Sequence, residues 1–168
     1  MIAVIDYGIN NTGSVIRMIE KVGGEALRVS NPDQLENANK LILPGVGHFG
    51  EGMRQLKLLG FVNPLREMII EDKIPMLGIC LGMQLLCESS EEGDLPGLGL
   101  VHAKVRHLRC EGRRDLKIPH MGWNTLEVLK KNALIDGDSG PLRFYFVHSY
   151  HVMPEDHDLC IAEANYGE

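Results

Sequence analysis

Short apolar runs and helical patterns alternate along the first half of this chain. Ile2 to Ile5 is a continuous apolar run, which is typical of a strand buried on both faces. Further strands are predicted at Glu25 to Val29, Leu41 to Leu43 and Met76 to Ile79. Between them the apolar residues repeat with helical spacing, first from Val15 to Val22 and last directly after Cys80, toward Glu88. This alternation predicts βαβ units and a mostly parallel sheet with helices on both faces.

The second half of the chain changes character, because strand-like segments follow one another there with little helical pattern between them. These segments are Val101 to Leu108, Thr125 to Leu129, Arg143 to Val152 and Cys160 to Ala164. We expect them to be antiparallel or mixed additions to the edge of the parallel sheet. The length of 168 residues, without a repeat or a long linker, predicts a single α/β domain over residues 1–168.

The composition fits a globular domain and argues against nucleic-acid binding. Apolar residues make up 44% of the chain, and the formal net charge is −6. The densest basic segment, Arg106 to Arg114, is short, is interrupted by Glu111 and contains no aromatic residue. It therefore lacks the basic stripe with interleaved aromatic side chains that is typical of nucleic-acid-binding proteins.

The cysteines and the N-terminal segment indicate a cytoplasmic location. Cysteines stand at positions 80, 87, 110 and 160 without a CxxC pair, so we expect reduced thiols. The N-terminus leads straight into a strand without signal-peptide features, and no apolar run reaches the roughly 18 residues of a membrane span. No residue spacing is typical of metal ligands, so neither a metal nor a cofactor is expected.

The sharpest chemical signal is the pentapeptide Gly78-Ile79-Cys80-Leu81-Gly82, at the junction of a predicted strand and a predicted helix. It is the cysteine form of a nucleophile elbow, in which flanking glycines permit the tight turn that exposes the nucleophile. The free N–H groups at the start of the following helix favour a thiolate. The alternative is a small buried cysteine packed between two glycines, which the pentapeptide alone does not exclude.

A second glycine-containing loop, Pro44-Gly45-Val46-Gly47, follows the third predicted strand. Ligands of open α/β sheets bind beyond the carboxyl ends of the strands, so this loop is expected near the elbow. Its glycines let backbone N–H groups approach a reacting carbonyl oxygen, as an oxyanion hole requires. Taken alone, Pro-Gly after a strand is usually an ordinary turn.

Six segments together narrow the interpretation. They are Asp6 to Gly8 with Asn11, Leu43 to Met53, Gly78 to Leu86, Glu88 to Gly99, Pro119 to Asn124 and Tyr145 to Tyr150. These segments resemble the class I glutamine amidotransferases, and most closely the glutaminase subunits of imidazole glycerol phosphate synthase. The resemblance extends over essentially the whole chain. It implies a flavodoxin-like α/β fold and hydrolysis of glutamine to glutamate and ammonia for a partner enzyme.

The resemblance also implies catalytic roles for residues of both loops. Cys80 is the expected nucleophile, which attacks the side-chain amide carbon of glutamine and forms a thioester with release of ammonia. The backbone amides of Leu81, Val46 and Gly47 are expected to stabilise the oxyanion.

Four further residues are implied in substrate binding, namely Gln84, Glu92, Ser149 and Tyr150. Gln84 lies one helical turn beyond the nucleophile, and Glu92 is expected to bind the α-amino group of glutamine. Ser149 and Tyr150 are expected to act through the main chain. Without the resemblance, Gln84 also fits an ordinary helix residue, and Glu92, beside Glu91, fits a solvated acidic loop.

Asn11, His120 and Trp123 resemble positions that face a partner subunit in this family. The implied partner is a (β/α)₈-barrel cyclase, which forms a heterodimer with the glutaminase and uses its ammonia to make imidazole glycerol phosphate in histidine biosynthesis. An exposed tryptophan beside histidine and methionine suits a binding hot spot. The alternative for Trp123, the only tryptophan of the chain, is an anchor in the core.

For two histidines and one cysteine the sequence favours a structural role over a chemical one. Strand alternation over Arg143 to Val152 places His148 and His151 on opposite faces. A lone histidine beside aromatic residues is more often a hydrogen-bonded structural residue than a catalyst. Cys87 follows Cys80 by seven residues on the same helical stripe, and we expect burial as a small apolar residue rather than a redox role.

The chain departs from the family pattern at the general base. The family completes its triad with a histidine and a glutamate in a C-terminal segment resembling Phe-His-Pro-Glu, and no such segment occurs here. We therefore expect a fragment whose fold is incomplete at the C-terminus, with apolar surface of the sheet left uncovered. The alternatives are a partner-binding subunit without catalytic activity and an internal histidine that acts as the base.

Two more alternatives concern the pathway and the class of enzyme. A paralogous subunit that supplies ammonia for surface-sugar biosynthesis keeps the chemistry and changes the pathway, and genomic neighbours distinguish the two. An unrelated cysteine hydrolase with the same elbow leaves Gln84, Glu92 and the segment Pro119 to Asn124 unexplained.

Overall fold

A computed structural model describes residues 1–110, 116–135 and 140–167. Its centre is a parallel sheet of four strands in the order β2-β1-β3-β4. The strands are β1 (Ile2–Ile5), β2 (Ala26–Val29), β3 (Lys40–Gly45) and β4 (Met76–Cys80). All four coincide with predicted strands, and the predicted α/β class is confirmed.

Helices connect these strands, and their ends follow local hydrogen bonds. They are α1 (Thr12–Lys21), α2 (Phe49–Leu58), α3 (Val62–Ile70) and α4 (Leu81–Leu85), with 3₁₀ helices at Pro32–Leu35 and His157–Leu159. Asn11 begins α1, because its side-chain oxygen accepts a hydrogen bond from the Ser14 N–H at 3.2 Å. Helix α4 ends before the predicted Glu88, because the Glu88 N–H donates to the Ala103 carbonyl at 3.0 Å. No helix in the described ranges is long and apolar enough to cross a membrane.

The strands of the second half form three small sheets that are separate from the parallel sheet in the described residues. They are β5 (Ser89–Ser90), β6 (Ala103–His107), β7 (His120–Thr125), β8 (Glu127–Val128), β9 (Arg143–His148), β10 (Tyr150–Pro154) and β11 (Ala162–Glu163). Strand β6 pairs with β5 and β10, β7 pairs with β9, and β8 pairs with β11. The expectation that they extend the edge of the parallel sheet is wrong, because these strands pair with one another.

The segment Arg143 to Val152, predicted as one strand, is divided at Ser149. Strand β9 pairs antiparallel with β7, whereas β10 pairs antiparallel with β6. Between them, the Ser149 carbonyl accepts a hydrogen bond from the Leu108 N–H at 2.8 Å. Strand β7 was not predicted at all, since its sequence contains no apolar run or regular alternation. Its existence depends on the pairing with β9.

The core is built from the parallel strands together with α2, α3 and α4. Its largest fully buried side chains include Ile5, Tyr7, Leu41, Leu43, Phe49, Leu56, Phe61, Leu65, Leu81, Leu85 and Leu98. Cys87 is 1% exposed, so its predicted burial is confirmed. Burial, with a smaller contribution from the Glu88 carboxylate, raises the pKa of Cys87 to about 11. The Cys87 thiol is therefore protonated at neutral pH and unsuited to redox exchange.

Within the described residues, β4 is an edge strand that pairs only with β3. Two of its apolar side chains, Leu77 and Ile79, are 42% and 37% exposed. These two side chains therefore form exposed apolar surface on the edge strand. An edge of this kind offers unpaired backbone groups and apolar side chains to another segment.

Candidate active site

Cys80 joins β4 to α4 in a backbone conformation that residues with a side chain seldom adopt. Its φ is 54° and its ψ is −119°. A conformation of this kind costs about 1–3 kcal/mol and persists only where the surrounding structure imposes it. The cysteine is exposed, so the alternative of a small buried cysteine is wrong. A strained, accessible thiol at a strand-to-helix turn has the geometry of a nucleophile elbow.

Close backbone contacts require both glycines of the elbow. A Cβ atom at Gly82 would lie 1.7 Å from the Leu43 carbonyl oxygen, and one at Gly78 would lie 2.5 Å from the Cα atom of Met83. No side chain is possible at such distances, so α4 packs directly against the ends of β3 and β4. The register of these two strands pairs Gly45 with Cys80, which brings the two predicted loops together.

A cavity of about 390 Å³ lies beside Cys80. It is lined by Val46, Gly47, Cys80, Leu81, Gln84, Glu92, Pro119, Val147, His148, Ser149 and Tyr150. The eight residues predicted for catalysis and substrate binding are all among them. Pro119, Val147 and His148 were not assigned to the site from the sequence, because the long-range pairing of β7 with β9 is needed to place them. The structure thus brings the predicted residues together, while their individual roles stay predictions.

The loop after β3 borders this cavity, but one of its amides is already engaged. The Val46 N–H donates a hydrogen bond to the Ile9 carbonyl oxygen at 3.2 Å. An N–H in this bond cannot at the same time stabilise an oxyanion. The role predicted for Val46 therefore requires a different orientation of this peptide group.

Glu92 is held at the cavity wall by the start of α2. Its Oε2 atom accepts a hydrogen bond from the Phe49 N–H at 2.9 Å, and its own N–H donates to Ser90 Oγ at 3.0 Å. A carboxylate at the N-terminus of a helix is favourable, because free N–H groups and the helix dipole stabilise its charge. This contact orients Glu92 and leaves its second oxygen for a cationic ligand group.

Glu91, the neighbour of Glu92, binds the described part of the basic segment instead. Its carboxylate accepts a hydrogen bond from the His107 N–H at 2.8 Å and lies 3.3 Å from Arg106 and 3.8 Å from Arg109. The His107 N–H, followed by the two guanidinium groups, lowers the pKa of Glu91. These arginines thus neutralise a carboxylate of the same chain, and residues 111–115 lie outside the described ranges.

Gln84 reaches the cavity from α4. Its side chain is buried, and its Nε2 atom donates a hydrogen bond to the Tyr150 carbonyl oxygen at 3.2 Å. This long-range hydrogen bond argues against the alternative of an ordinary helix residue for Gln84. Since Tyr150 follows Ser149, this bond ties the main chain predicted to contact glutamine to the helix that begins at the nucleophile.

His120 is only 4% exposed, so the prediction that it faces a partner subunit is wrong. It lies opposite His148 in the β7–β9 pair, and its Nδ1 atom is 3.0 Å from His148 Nε2. Burial, followed by the neighbouring His148, lowers the pKa of His120. His148 also contacts the Tyr150 carbonyl oxygen through Nδ1 at 3.0 Å, which confirms its interpretation as a hydrogen-bonded structural histidine.

The other face of the β7–β9 pair carries an apolar patch, consisting of Met121, Trp123, Tyr145 and Val147. Each of these four side chains is more than half exposed. Trp123 and Tyr145 pack edge to face with ring centroids 5.8 Å apart, so the alternative of a core anchor is wrong for Trp123. Asn11 is exposed too, but its side chain already caps α1. Exposed aromatic and methionine side chains grouped in this way are typical of protein-binding surfaces.

Tyr7 is a buried polar residue beside the elbow that received no role from the sequence. Its hydroxyl has no hydrogen-bond partner among the described residues, although the side chain is fully buried. A Cβ atom at Gly45 would lie 2.3 Å from this hydroxyl, which is a further reason for glycine at that position. Burial, followed by the negative charge of a Cys80 thiolate, raises the pKa of Tyr7.

Comparison with known proteins identifies a family and close relatives. The family model described as glutamine amidotransferase class-I matches residues 3–168. The imidazole glycerol phosphate synthase subunit HisH 2 of Methanococcus maripaludis is 48% identical over 99% of this chain and 81% of its own length. The subunit HisH 1 of Campylobacter jejuni is 47% identical over 99% of this chain and 82% of its own. The subunit HisH 2 of Pseudomonas aeruginosa is 44% identical over 100% of this chain and 82% of its own length.

Solved structures agree with the fold. A structure of PurLQS from Thermotoga maritima matches with a TM-score of 0.68 and 18% identity, over 97% of this chain and 73% of that one. A glutamine amidotransferase crystal structure matches with a TM-score of 0.64 and 20% identity, over 86% of this chain and 70% of that one. At these identities the likeness shows the shared fold.

Tyr7→Phe tests whether the buried hydroxyl is unpaired. We expect the free energy of unfolding to stay the same or to rise by about 1 kcal/mol, because an unpaired buried hydroxyl destabilises a protein by roughly that amount or more. Urea unfolding measures the change. Phe49→Tyr is the reverse control, since it adds a hydroxyl to a fully buried ring, and it should destabilise. A loss of more than about 1 kcal/mol in Tyr7→Phe would show that the hydroxyl is hydrogen-bonded.

Proposed function

This chain belongs to the class I glutamine amidotransferases, and we propose that it is the glutaminase subunit of an imidazole glycerol phosphate synthase. In that role it hydrolyses glutamine to glutamate and ammonia for histidine biosynthesis. The observation that carries the proposal is the cavity beside Cys80, which all eight predicted residues line. The identity of 44–48% to subunits of that synthase supports the choice of pathway.

The reaction begins with attack of the Cys80 sulfur on the side-chain amide carbon of glutamine. A tetrahedral intermediate forms, and the amides of Leu81 and Gly47 stabilise its oxyanion, joined by Val46 once its bond to Ile9 breaks. The carbon–nitrogen bond then breaks, and the nitrogen takes a proton and leaves as ammonia. Water attacks the resulting thioester, the carbon–sulfur bond breaks, glutamate is released, and a proton from the water returns to the sulfur and restores the thiol.

These proton transfers need a general base, and His148 does not fit that role. It is the histidine that lines the cavity, but both of its ring nitrogens are engaged, one with the Tyr150 carbonyl and the other with His120. A base for Cys80 must have a free nitrogen within hydrogen-bond reach of the sulfur. We therefore assign no base within these residues and propose that a histidine and a glutamate of an additional segment complete the triad.

Glutamine binding uses the polar groups around the cavity. The Glu92 carboxylate binds the α-amino group, because its second oxygen and its charge are not consumed by the Phe49 N–H. Gln84 and the main chain of Ser149 and Tyr150 bind the remaining polar groups of the substrate. The eight residues thus divide into an elbow that reacts and a wall that orients glutamine.

The ammonia passes to a (β/α)₈-barrel cyclase in a heterodimer. The apolar patch around Trp123 supplies the docking surface, because aromatic and methionine side chains are enriched at interface cores. Since free ammonia is mostly protonated in neutral water, a sheltered transfer keeps it nucleophilic. The four cysteines are all free thiols, which is compatible with a cytoplasmic assembly.

Glutamate release from glutamine tests the function directly. We expect the chain to release glutamate when it is combined with a segment that carries the histidine and glutamate, and with the cyclase partner and its ligand. Cys80→Ala should abolish the release, because no other residue replaces the nucleophile. Release that depends on Cys80 without the added segment would contradict the proposal that the base lies outside these residues. Partner binding without release under any condition would favour the partner-binding subunit.

Glu92→Gln separates the charge of Glu92 from its hydrogen bond. The amide oxygen still accepts from the Phe49 N–H, so we expect the fold to persist while the KM for glutamine rises about tenfold or more, since a charged hydrogen bond contributes about 1.5–3 kcal/mol. Glu91→Gln is the matched control, and its KM should stay near that of the wild type. Equal effects of both variants on KM would exclude Glu92 as the ammonium-binding group.

Trp123→Ala tests the apolar patch as the docking surface. We expect the dissociation constant for the cyclase to rise at least tenfold, because exposed tryptophans at interfaces are common hot spots. Calorimetric titration of the cyclase measures it, and the unfolding free energy should barely change, since the ring is 64% exposed. Leu58→Ala, at an apolar position of α2 that is 74% exposed, is the matched control. Unchanged affinity in Trp123→Ala would place the interface elsewhere.

A further inference from the structure

The Tyr150 carbonyl oxygen is the point where two side chains of the cavity meet. It accepts a hydrogen bond from Gln84 Nε2 at 3.2 Å and lies 3.0 Å from His148 Nδ1. A carbonyl oxygen has two lone pairs, so these two donors saturate it. Neither side chain can turn away without leaving a polar group of the cavity wall unpaired.

The protonation of both histidine rings follows from what they face. A carbonyl only accepts, so His148 Nδ1 carries the proton and His148 Nε2 is an acceptor in the neutral ring. His120 Nδ1, 3.0 Å from His148 Nε2, must then be the donor, and His120 Nε2 is left as an acceptor. It faces Asn124 Nδ2 at 3.4 Å, which donates. Each ring therefore has one tautomer that satisfies its neighbours.

Asn124 anchors the far end of this chain of bonds. Its Nδ2 atom also donates to the Asn165 carbonyl at 2.9 Å, and its Oδ1 atom accepts from the Thr125 N–H at 2.8 Å. Turning the amide over would place a donor against a donor and an acceptor against an acceptor. The orientation of Asn124 is thus determined, and with it the direction of every bond as far as Tyr150.

Packing keeps the two rings in place. His120 stacks on Phe146 with centroids 4.6 Å apart and on Tyr166 with centroids 3.8 Å apart. Because the ring is buried, water does not compete for its two nitrogens. Phe146 also packs beside His148 with ring centroids 5.7 Å apart, so packing and hydrogen bonds together hold both rings in orientation.

We propose that His148, held by His120 and Asn124, is a positioning residue for glutamine, which orients the Tyr150 main chain and the Gln84 side-chain amide. This inference rests on the proposed glutaminase function. With one Nε2 hydrogen committed to the Tyr150 carbonyl, the Gln84 amide has one rotation, and its other hydrogen and its oxygen have defined directions. Such preorganisation lowers the entropy cost of binding a polar substrate.

Two variants of His148 separate its two bonds. His148→Asn places an amide nitrogen where Nδ1 stands, so the bond to the Tyr150 carbonyl is kept and the contact with His120 is lost. His148→Gln places its amide where Nε2 stands, so the contact with His120 is kept and the bond to the carbonyl is lost. The two variants are matched in polarity and remove the same ring.

Glutamine affinity is measured by titration calorimetry in a Cys80→Ala background, where no turnover occurs and no general base is needed. We expect the dissociation constant of the Asn variant to lie within about threefold of the Cys80→Ala parent and that of the Gln variant to rise about fivefold to tenfold, the loss typical of one hydrogen bond. Equal affinities of the two variants would overturn the positioning role and leave the glutaminase function standing. No binding of glutamine by the parent would overturn the proposed function and the positioning role with it.

The ring tautomers provide a second readout that does not depend on glutamine. Long-range proton–nitrogen correlation spectra of the histidine rings at neutral pH should show the Nδ1–H form for both His120 and His148. The Nε2–H form at His148 would overturn the inference, because Nδ1 could then not donate to the Tyr150 carbonyl. If the tautomers are as expected but the Cys80→Ala parent does not bind glutamine, the hydrogen-bond network is confirmed. The positioning role for glutamine is then wrong.

Discussion

The contact between Gly82 and the Leu43 carbonyl is the constraint on which the rest of the site depends. A single added carbon at Gly82 would overlap the carbonyl oxygen, so the start of α4 can approach the end of β3 only because no side chain intervenes. This approach places the loop after β3 beside Cys80 and forces the cysteine into its positive-φ conformation. The reactive geometry is therefore a result of backbone packing.

The polar wall of the cavity is built from elements distant in sequence, and backbone groups do much of the orienting. The Phe49 N–H holds Glu92, and the Tyr150 carbonyl holds Gln84 and His148. In each of these side chains one polar atom forms a hydrogen bond with a backbone group, and another remains for a neighbouring side chain or for a ligand. Orientation therefore depends on the ends of strands and the starts of helices, which the tertiary fold brings together around the cavity.

The difference between local patterns and long-range strand pairing explains how much of the fold and of the site could be predicted from the sequence. The parallel strands, the elbow and the glycine loop are encoded by local patterns, and these place Cys80, Val46 and Gly47 correctly in the cavity. The resemblance to a family supplied Gln84, Glu92, Ser149 and Tyr150, whereas Pro119, Val147 and His148 were not predicted as part of the site. The burial of His120 and the division of the strand at Ser149 could not be predicted, because both depend on which distant strand pairs with β9 and which with β10. Such pairing depends on free energies of packing that no local pattern contains.

The pairing of β7 with β9 has a consequence for how this protein tolerates changes in length. Facing residues alternate between the two sides of the strand pair, so His120 and His148 lie on one side while Trp123 and Tyr145 lie on the other. Inserting or deleting one residue inside either strand would exchange the sides, exposing the histidines and burying the tryptophan. A change of chain length is therefore compatible with this arrangement only in the segments between the strands, whereas a substitution within a strand keeps every other side chain on its own side.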